Sequence, residues 1–221
     1  MRAGILKQKG NLWAARILSR CGVFSAAELQ AAAALAQQFG RGSLTATSRG
    51  TIEIDGIAEE QLDGLLTAIG KSGLRLGGTG TTVRAVTACK GTDCVHGAFD
   101  VHALASRLEE AFLGQPVPKK FKIGVFGCWN SQGKARSQDL GILPAGPGTF
   151  TLFIGGMMGK TPQLGQKLAA AVPEAKLPAA VEVLLTVYRR EGEAGERFGH
   201  LLLRQPALLG EIDARVTALA N

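Results

Sequence analysis

The sequence is poor in aromatic residues and has no long apolar segment. Aromatic residues make up 5% of the chain, and no basic segment is interleaved with them, so we do not expect a nucleic-acid-binding surface. The longest uncharged apolar runs, such as the one around Ala31–Ala36, are far shorter than the roughly 20 residues that cross a bilayer, so no membrane-spanning helix is expected. The N-terminal residues lack the apolar core of a secretory signal, which favours a cytoplasmic protein.

Cysteine is also scarce, with four in 221 residues, at positions 21, 89, 94 and 128. This density is too low for a small disulfide-stabilised fold, and in a reducing compartment clustered cysteines more often bind metals. The chain can form a core without such bonds, because 46% of its residues are apolar, enough for one large domain or two small ones. The net charge of +7 fits a nucleic-acid surface, an acidic protein partner or a pocket for anions, and charge alone does not choose among them.

The first part of the chain alternates helical and strand patterns. Ser25 and Glu28 have capping-box spacing and precede strong helix formers, and isoleucines alternate with polar residues after Arg49. A second amphipathic pattern ends at Gly73. The predicted order is a helix over Ser25–Phe39, a strand over Leu44–Ser48, a strand over Thr51–Asp55 and a helix over Glu59–Lys71.

The glycine- and threonine-rich segment 73–82 is the best candidate for a linker between two units. We place the domains at residues 1–74 and 75–221. The second unit is predicted to contain strands over Thr82–Ala88, Phe121–Phe126 and Phe150–Ile154, a helix over Phe99–Leu113 and a mostly helical remainder from Leu164. Sheet segments mixed with helices indicate an α+β fold.

Three cysteines follow predicted strands. Cys89 and Cys94 lie in TACKGTDC, and Cys128 lies in FGCWNSQG. Thiolates brought together by such loops favour zinc, copper(I) or iron–sulfur centres. The alternative is that they are ordinary buried cysteines. Cys21, in an early apolar segment with a helix-like pattern, is interpreted as a small core residue.

A second set of candidates is cationic and consists of Arg49, Arg84, Lys120 and Lys122. Arginine suits planar binding of oxyanions, and lysine supplies a point charge and a proton donor. In KFK, Lys120 and Lys122 share one face of a strand, with Phe121 on the other, so they can converge on one anion. The alternative is a solvated basic edge strand.

Together these motifs resemble those of the siroheme-dependent sulfite and nitrite reductases, in order along nearly the whole chain. TSRGTIEIDGI resembles part of the ferredoxin-like half domain of that family, and VRAVTACKGTDC resembles the strand and loop with an arginine and two cluster cysteines. KKFKIGVFGCWNSQGKARSQDLGI resembles the lysine pair and the following Gly-Cys-Pro-Asn-x-Cys segment, which ends at Asp139 and Gly141. FIGGMMGKTPQLGQKL and YRREGEAGERFG resemble the tetrapyrrole-side loop and the closing helices.

The resemblance implies a ferredoxin-like half domain followed by a siroheme and 4Fe-4S reductase-type α+β domain. It implies that Cys89, Cys94 and Cys128 bind a 4Fe-4S cluster. It also implies cofactor-binding roles for a second set of residues, of which the arginines and lysines are catalytic as well: Arg49, Arg84, Lys120, Lys122, Asn130, Gly155 and Gly156.

The sequence departs from the family pattern in the second cysteine motif. Gln132 stands where the family has its fourth cluster cysteine, which also bridges to the siroheme iron, and Trp129 replaces a proline. Three cysteines can still hold a four-iron cluster whose last iron takes water, an external ligand or another side chain, or they can hold a three-iron cluster. His96 is a candidate substitute ligand, although a loop histidine without a metal role is the simpler interpretation. The first cysteine loop is one residue shorter than in many relatives.

The resemblance implies reduction of sulfite, nitrite or a related small oxyanion at siroheme. The alternative is a catalytically altered or inactive relative that binds a siroheme-like tetrapyrrole or a cluster for carriage, sensing or complex assembly. Because larger relatives combine two modules and this chain has one, a homodimer or higher homo-oligomer with composite sites is expected. No flavin or nicotinamide module is apparent, so an external electron donor protein is expected.

Overall fold

The computed structural model describes residues 2–220, which divide into two units at Gly80 and Thr81. Each unit has its own sheet and helices, and each is described separately below. Among the described residues, no helix combines the length and the apolar character that a membrane crossing requires.

The first unit contains a five-stranded antiparallel sheet. Its main path has the order β1-β2-β4-β3, and β5 pairs with β2. Ile52 and Ile54 of β4 are buried with half-buried Glu53 between them, and Ile57 is buried beyond a register shift in the pairing with β2. The strands are β1 (Ile5–Lys7), β2 (Trp13–Leu18), β3 (Leu44–Ala46), β4 (Ile52–Ile57) and β5 (Arg75–Leu76).

Two helices pack with this sheet around one apolar core, α1 (Ala26–Phe39) and α2 (Leu62–Ser72). Ser25 caps α1, and the reciprocal hydrogen bonds with Glu28 complete the predicted capping box. Gly73 ends α2 in the left-handed conformation, with φ of 74°, as its sequence position predicts. Both helices are confirmed, although the first turn predicted for the second one, Glu59–Gln61, is a 3₁₀ helix.

The second unit contains a mixed five-stranded sheet in the order β10-β9-β8-β7-β6. β6, β7 and β8 run parallel, and β9 and β10 continue the sheet in antiparallel pairing. The strands are β6 (Thr87–Ala88), β7 (Ile123–Val125), β8 (Leu140–Gly146), β9 (Thr149–Ile154) and β10 (Gln166–Pro173).

Five helices accompany this sheet: α3 (Val101–Phe112), α4 (Gln132–Ala135), α5 (Leu177–Glu191), α6 (Phe198–Arg204) and α7 (Ala207–Ala220). α3 joins the parallel strands β6 and β7 and contacts both, and α4 contacts β7 and β8. The three C-terminal helices contact one another, and α7 lies against β10. The longest helix, α5, buries Leu184, Leu185 and Tyr188 completely.

Several predicted elements need correction. Cys21 is buried, as expected of a core residue, but its segment is not helical: it follows β2 in a turn and has a φ of 51°. The remainder from Leu164 is mostly helical, as predicted, because it contains α5, α6 and α7, but the prediction lacks β10, which precedes these helices. The predicted strand Thr82–Ala88 is regular only at Thr87–Ala88, and residues 75–76 of the predicted linker form β5. The domain boundary predicted at residue 74 stays a prediction.

Candidate functional site

The parallel pairing of β6 and β7 brings two cysteine loops to one edge of the second sheet. Ala88 pairs with Val125, Cys89 follows β6 directly, and Cys128 lies just beyond β7. The carboxyl ends of parallel neighbours lie at the same edge, so the chain leaves both strands beside each other. We call this region, formed by the loops 89–98 and 126–132, the cysteine edge.

Two hydrogen bonds connect the loops of the cysteine edge. The backbone N–H of Gly127 donates to the Sγ of Cys89 over 3.1 Å, and the backbone N–H of Ala98 donates to the carbonyl of Gly127 over 3.0 Å. Cys94 ends the 3₁₀ turn Gly91–Asp93 within the first loop. Cys89, Cys94 and Cys128 are all half-buried and carry free thiols. The structure therefore brings the three predicted cysteines to one region.

Glycines allow the backbones of the two loops to touch. A Cβ on Gly127 would lie 3.4 Å from the Cα of Gly91 and 3.5 Å from the Cα of Gly97. A Cβ on Gly97 would overlap the carbonyl oxygen of Gly91. The overlap leaves no room for a side chain on Gly97, so the tight path of the first cysteine loop depends on glycine at this position.

Within residues 2–220, no three His, Cys, Asp or Glu side chains lie close enough together to bind a single metal ion. In a 4Fe-4S cluster each thiolate binds a different iron, so its protein ligands stand farther apart than those of one ion. Gln132 begins α4 at this edge and is exposed, as are Asn130 and His96. The donors that the cysteine edge offers are thus three thiols, with exposed amide and imidazole groups on the same loops.

Trp129 lies beside Cys128 and is 45% exposed. Its Nε1–H donates to the carbonyl of Pro144 over 2.9 Å, and its ring packs edge-on against Phe153 with the centroids 6.2 Å apart. It also lines an open hollow of about 460 Å³ with residues that include Phe99, Phe150 and the β8–β9 turn. The chain's own contacts therefore hold the ring that replaces the family's proline.

The predicted cations of the second unit lie at the opposite end of β6 and β7. Arg84 precedes β6, and its backbone N–H donates to the carbonyl of Phe121, next to Lys120 and Lys122 ahead of β7. Phe121 is fully buried, whereas both lysines are half-buried, which agrees with the predicted alternation. Burial lowers the pKa of the Lys120 amine, and the positive charges of Arg197 and Arg84 lower it further. We call this region, Arg84, Lys120, Lys122 and Arg197, the cationic edge.

Sequence reasoning missed one buried cation of this edge. Arg197 is 6% exposed, and its Nη2 donates to both carboxylate oxygens of the fully buried Asp139 over 3.0 and 2.9 Å. Asp139 also accepts the backbone N–H of Lys122 over 2.9 Å. Burial raises the pKa of the Asp139 carboxyl, and Arg197 opposes this shift. The available signal was an arginine placed directly before the apolar segment that begins at Phe198.

The two predicted cofactor glycines, Gly155 and Gly156, also lie at the end of the sheet that carries the cationic edge. They follow β9, and the backbone N–H of Gly155 donates to the carbonyl of Asp139 over 2.9 Å. A Cβ on Gly156 would overlap the carbonyl of Arg136, and one on Gly155 would lie 2.8 Å from Leu202. The packing of the chain itself thus requires glycine here, and the predicted role toward a tetrapyrrole stays a prediction.

Arg49 belongs to the first unit, where it lies half-buried in the turn between β3 and β4, as predicted. Its backbone N–H donates to Thr47 Oγ1 over 3.3 Å.

The second unit thus carries two chemically different regions. Amines and guanidinium groups at the cationic edge can bind an anion, and thiols at the cysteine edge can bind soft metal ions. These regions lie at opposite ends of β7, because Lys122 precedes the strand and Cys128 follows it.

Two family models match this chain. The model described as "Nitrite and sulphite reductase 4Fe-4S domain" matches residues 79–205, and the one described as "Nitrite/Sulfite reductase ferredoxin-like half domain" matches residues 5–72. These matches confirm the predicted fold class. The backbone superposes on dissimilatory sulfite reductase I with a TM-score of 0.80 at 15% identity, over 97% of this chain and 76% of that chain.

Curated relatives match part of the chain. It is 36% identical over 142 residues to an uncharacterized protein of Methanocaldococcus jannaschii, across 64% of this chain and 51% of that protein. It is 30% identical over 148 residues to the large subunit of an NAD(P)H nitrite reductase of Klebsiella oxytoca, across 66% of this chain and 15% of that protein. The chain spans about half or less of the length of these relatives.

Proposed function

Because this chain belongs to the nitrite and sulphite reductase family, we propose that it is a redox protein that binds siroheme and an iron–sulfur cluster and reduces a small oxyanion. The observation that carries the proposal is the link between the two cysteine loops, in which the Cys89 thiol accepts the N–H of Gly127 beside Cys128. When bound, the siroheme supplies the iron at which the oxyanion is reduced and the cluster supplies the electrons.

The cysteine edge fits a cluster held by three protein thiolates. Cys89, Cys94 and Cys128 would supply these ligands, and the N–H of Gly127 would remain a donor to the Cys89 sulfur. Hydrogen bonds to ligand sulfur are one of the means by which a protein tunes the reduction potential of a cluster. Gln132 offers a neutral amide where the family pattern has a thiolate, so one coordination position would be open to water or an external ligand.

The cationic edge fits both the carboxylates of siroheme and a small oxyanion. Arg84, Lys120 and Lys122 would attract the anion and stabilise negative charge as it builds. The lowered pKa of Lys120 makes its ammonium a stronger acid than an exposed lysine, which suits proton donation to a bound oxyanion. Gly155 and Gly156 would contact the tetrapyrrole at this end of the sheet. Cofactor-binding roles for Arg49 of the first unit and Asn130 of the cysteine edge are proposed from the family resemblance alone.

We further propose that the working form is a homodimer or higher homo-oligomer with composite sites. Lys122 and Cys128 lie at opposite ends of β7, so one copy presents its cations and its thiols on different edges. A two-fold arrangement can place the cationic edge of one copy opposite the cysteine edge of its partner. An external, cytoplasmic electron donor protein would supply the reducing equivalents.

A second candidate function is binding without reduction. Gln132 favours it, because an amide cannot replace the bridging thiolate electronically. A protein of this kind would carry or sense a tetrapyrrole or a cluster.

Anaerobic purification and reconstitution with iron and sulfide test the proposal. We expect visible absorption of a cluster and of siroheme, together with iron and sulfide bound to the chain. Cys128→Ala should lose the cluster signal, whereas Cys21→Ala, a buried cysteine in the first unit, should keep it. Gln132→Cys should raise the iron content and stabilise the cluster against chelators.

Turnover separates the two functions. Reduction of sulfite or nitrite by the loaded protein with a reduced viologen as donor supports the reductase, and both chromophores without turnover support the binding protein. A Cys128→Ala variant with unchanged iron content would contradict the cluster assignment.

A further inference from the structure

Asp139 and Arg197 form a buried ion pair at the cationic edge. Asp139 is fully buried directly before β8, and Arg197 lies directly before α6. One guanidinium nitrogen contacts both carboxylate oxygens, and the same carboxylate accepts the backbone N–H of Lys122 over 2.9 Å. The pair therefore connects the start of α6 to the segment just ahead of β7 that carries the lysines.

A cluster of three aromatic rings packs beside the ion pair and the lysines. Phe198 follows Arg197 and packs against Phe121, which separates the two lysines, with the ring centroids 5.3 Å apart. Tyr188 of α5 packs against Phe198 at the same centroid distance. Phe121, which lies between the two lysines in sequence, and Phe198, which follows Arg197, are thus both anchored in the core.

Four charged residues are prominent among those that act on the Lys120 amine. Arg197, Arg84 and Lys119 are positive, and Asp139 is negative. Within the ion pair, Arg197 thus lowers the pKa of the Lys120 amine and Asp139 raises it.

Stability alone gives a weak reason for this pair. Burying two charges removes them from water, and a pair of apolar residues in their place is often as stable or more so. The Nε of Arg197 is buried and has no hydrogen-bond partner among the described residues, which adds to the cost of burial. A role in fixing the position and the charge environment of the neighbouring lysines accounts for this buried ion pair, which packing does not require.

Resting on the proposed function, we propose that Asp139 and Arg197 are the positioning residues of the anion site. Asp139 holds the backbone of Lys122, and Arg197 holds the Asp139 carboxylate through two hydrogen bonds. The charges of both residues act on the neighbouring Lys120 amine. Neither residue has to touch the oxyanion itself.

Competitive labelling of lysines tests this role. The full-length protein is acylated with limiting reagent over a range of pH, and the labelling of Lys120 is followed by peptide mass spectrometry with exposed Lys134 and Lys160 as references. Arg197→Met removes a positive charge and should raise the pKa of Lys120. Asp139→Asn removes a negative charge and should lower it, whereas Arg197→Lys should restore the wild-type titration.

Opposite shifts support the proposal, because general loosening of the structure would move both variants in the same direction. Shifts of equal sign, or no shift in either variant, would overturn it. If Arg197→Met alone does not fold, the double variant Arg197→Met/Asp139→Asn leaves no buried charge unpaired. Its Lys120 pKa must then lie above that of Asp139→Asn, and any other result overturns the proposal.

Calorimetric titration with sulfate separates this inference from the proposed function. Wild-type protein that binds sulfate, with weaker binding in Arg197→Met than in Arg197→Lys, supports both. Wild-type protein that does not bind sulfate but shows the opposite pKa shifts would contradict the oxyanion function while supporting the positioning role.

Discussion

Replacing Gly97 by alanine should distort the cysteine edge. The added Cβ would overlap the carbonyl oxygen of Gly91 and lie 3.0 Å from the backbone nitrogen of Thr92. Both contacts are with backbone, which cannot rotate away as a side chain can, so the loop itself must move. Overpacking of this kind typically costs about 1–3 kcal/mol. For a unit of roughly this size, that loss lowers the melting temperature by about 2–4 °C per kcal/mol.

Gly133→Ala is the matched control, because a Cβ on Gly133 meets nothing within 4 Å and the residue lies in α4. Alanine there should stabilise the helix by about 0.5–1 kcal/mol. Thermal unfolding measures the stability, and the rates of maleimide labelling at Cys94 and Cys128 report the loop geometry. We expect faster labelling and a lower melting temperature only for Gly97→Ala. If Gly97→Ala is as stable as Gly133→Ala and its thiols react at the wild-type rate, the inference that these loops are tightly packed is wrong.

Two further predictions concern the anion site and the assembly. Because the pKa of Lys120 is lowered, the sulfate affinity should fall at a lower pH than the pH at which an ordinary lysine loses its proton. Lys120→Arg stays charged and should keep its sulfate affinity over this range. Calorimetric titration measures this, with Lys134→Ala, an exposed lysine of α4, as control, and a wild-type affinity that is constant to alkaline pH would contradict it. Sedimentation velocity should show a dimer or larger species that contains siroheme, and a monomer with a stably bound tetrapyrrole would contradict the composite site.

Local sequence signals predicted the elements whose boundaries are set by capping and turn residues. α1 begins where Ser25 and Glu28 satisfy the first backbone N–H groups, and α2 ends where Gly73 adopts a positive φ. Arg49 lies in a turn between two strands, as the change in pattern after Gly50 indicates. Such signals lie within a few residues of the element that they define.

Elements that depend on distant pairing were missed. β10 contains consecutive alanines, which favour a helix, yet it pairs with β9 through a register shift between Lys167 and Ala171. β2 was missed in the same way, although it pairs with β1, β4 and β5. Tertiary pairing overrides a weak local preference in both strands.

In the candidate site, too, local sequence signals identified some residues, and contacts between distant residues were missed. Cys89, Cys94 and Cys128 could be selected from their positions after predicted strands, and the parallel pairing of β6 with β7 brings them to one edge. The contact between Asp139 and Arg197 spans 58 residues and joins two loops, so nothing in the sequence around either residue indicates its partner.

The parallel pairing of β6 with β7 also has a consequence for the order of events during biogenesis. The Cys89 thiol meets the backbone of Gly127, 38 residues later, only after the intervening helix has crossed over and the two strands have paired. Such non-local pairing is slow, because the loop must close before its contacts are gained. The newly made chain therefore has no assembled thiol site to offer while it is still collapsing. We expect iron and sulfide to enter after this crossover has folded, so the acceptor for cluster delivery would be a structured apoprotein.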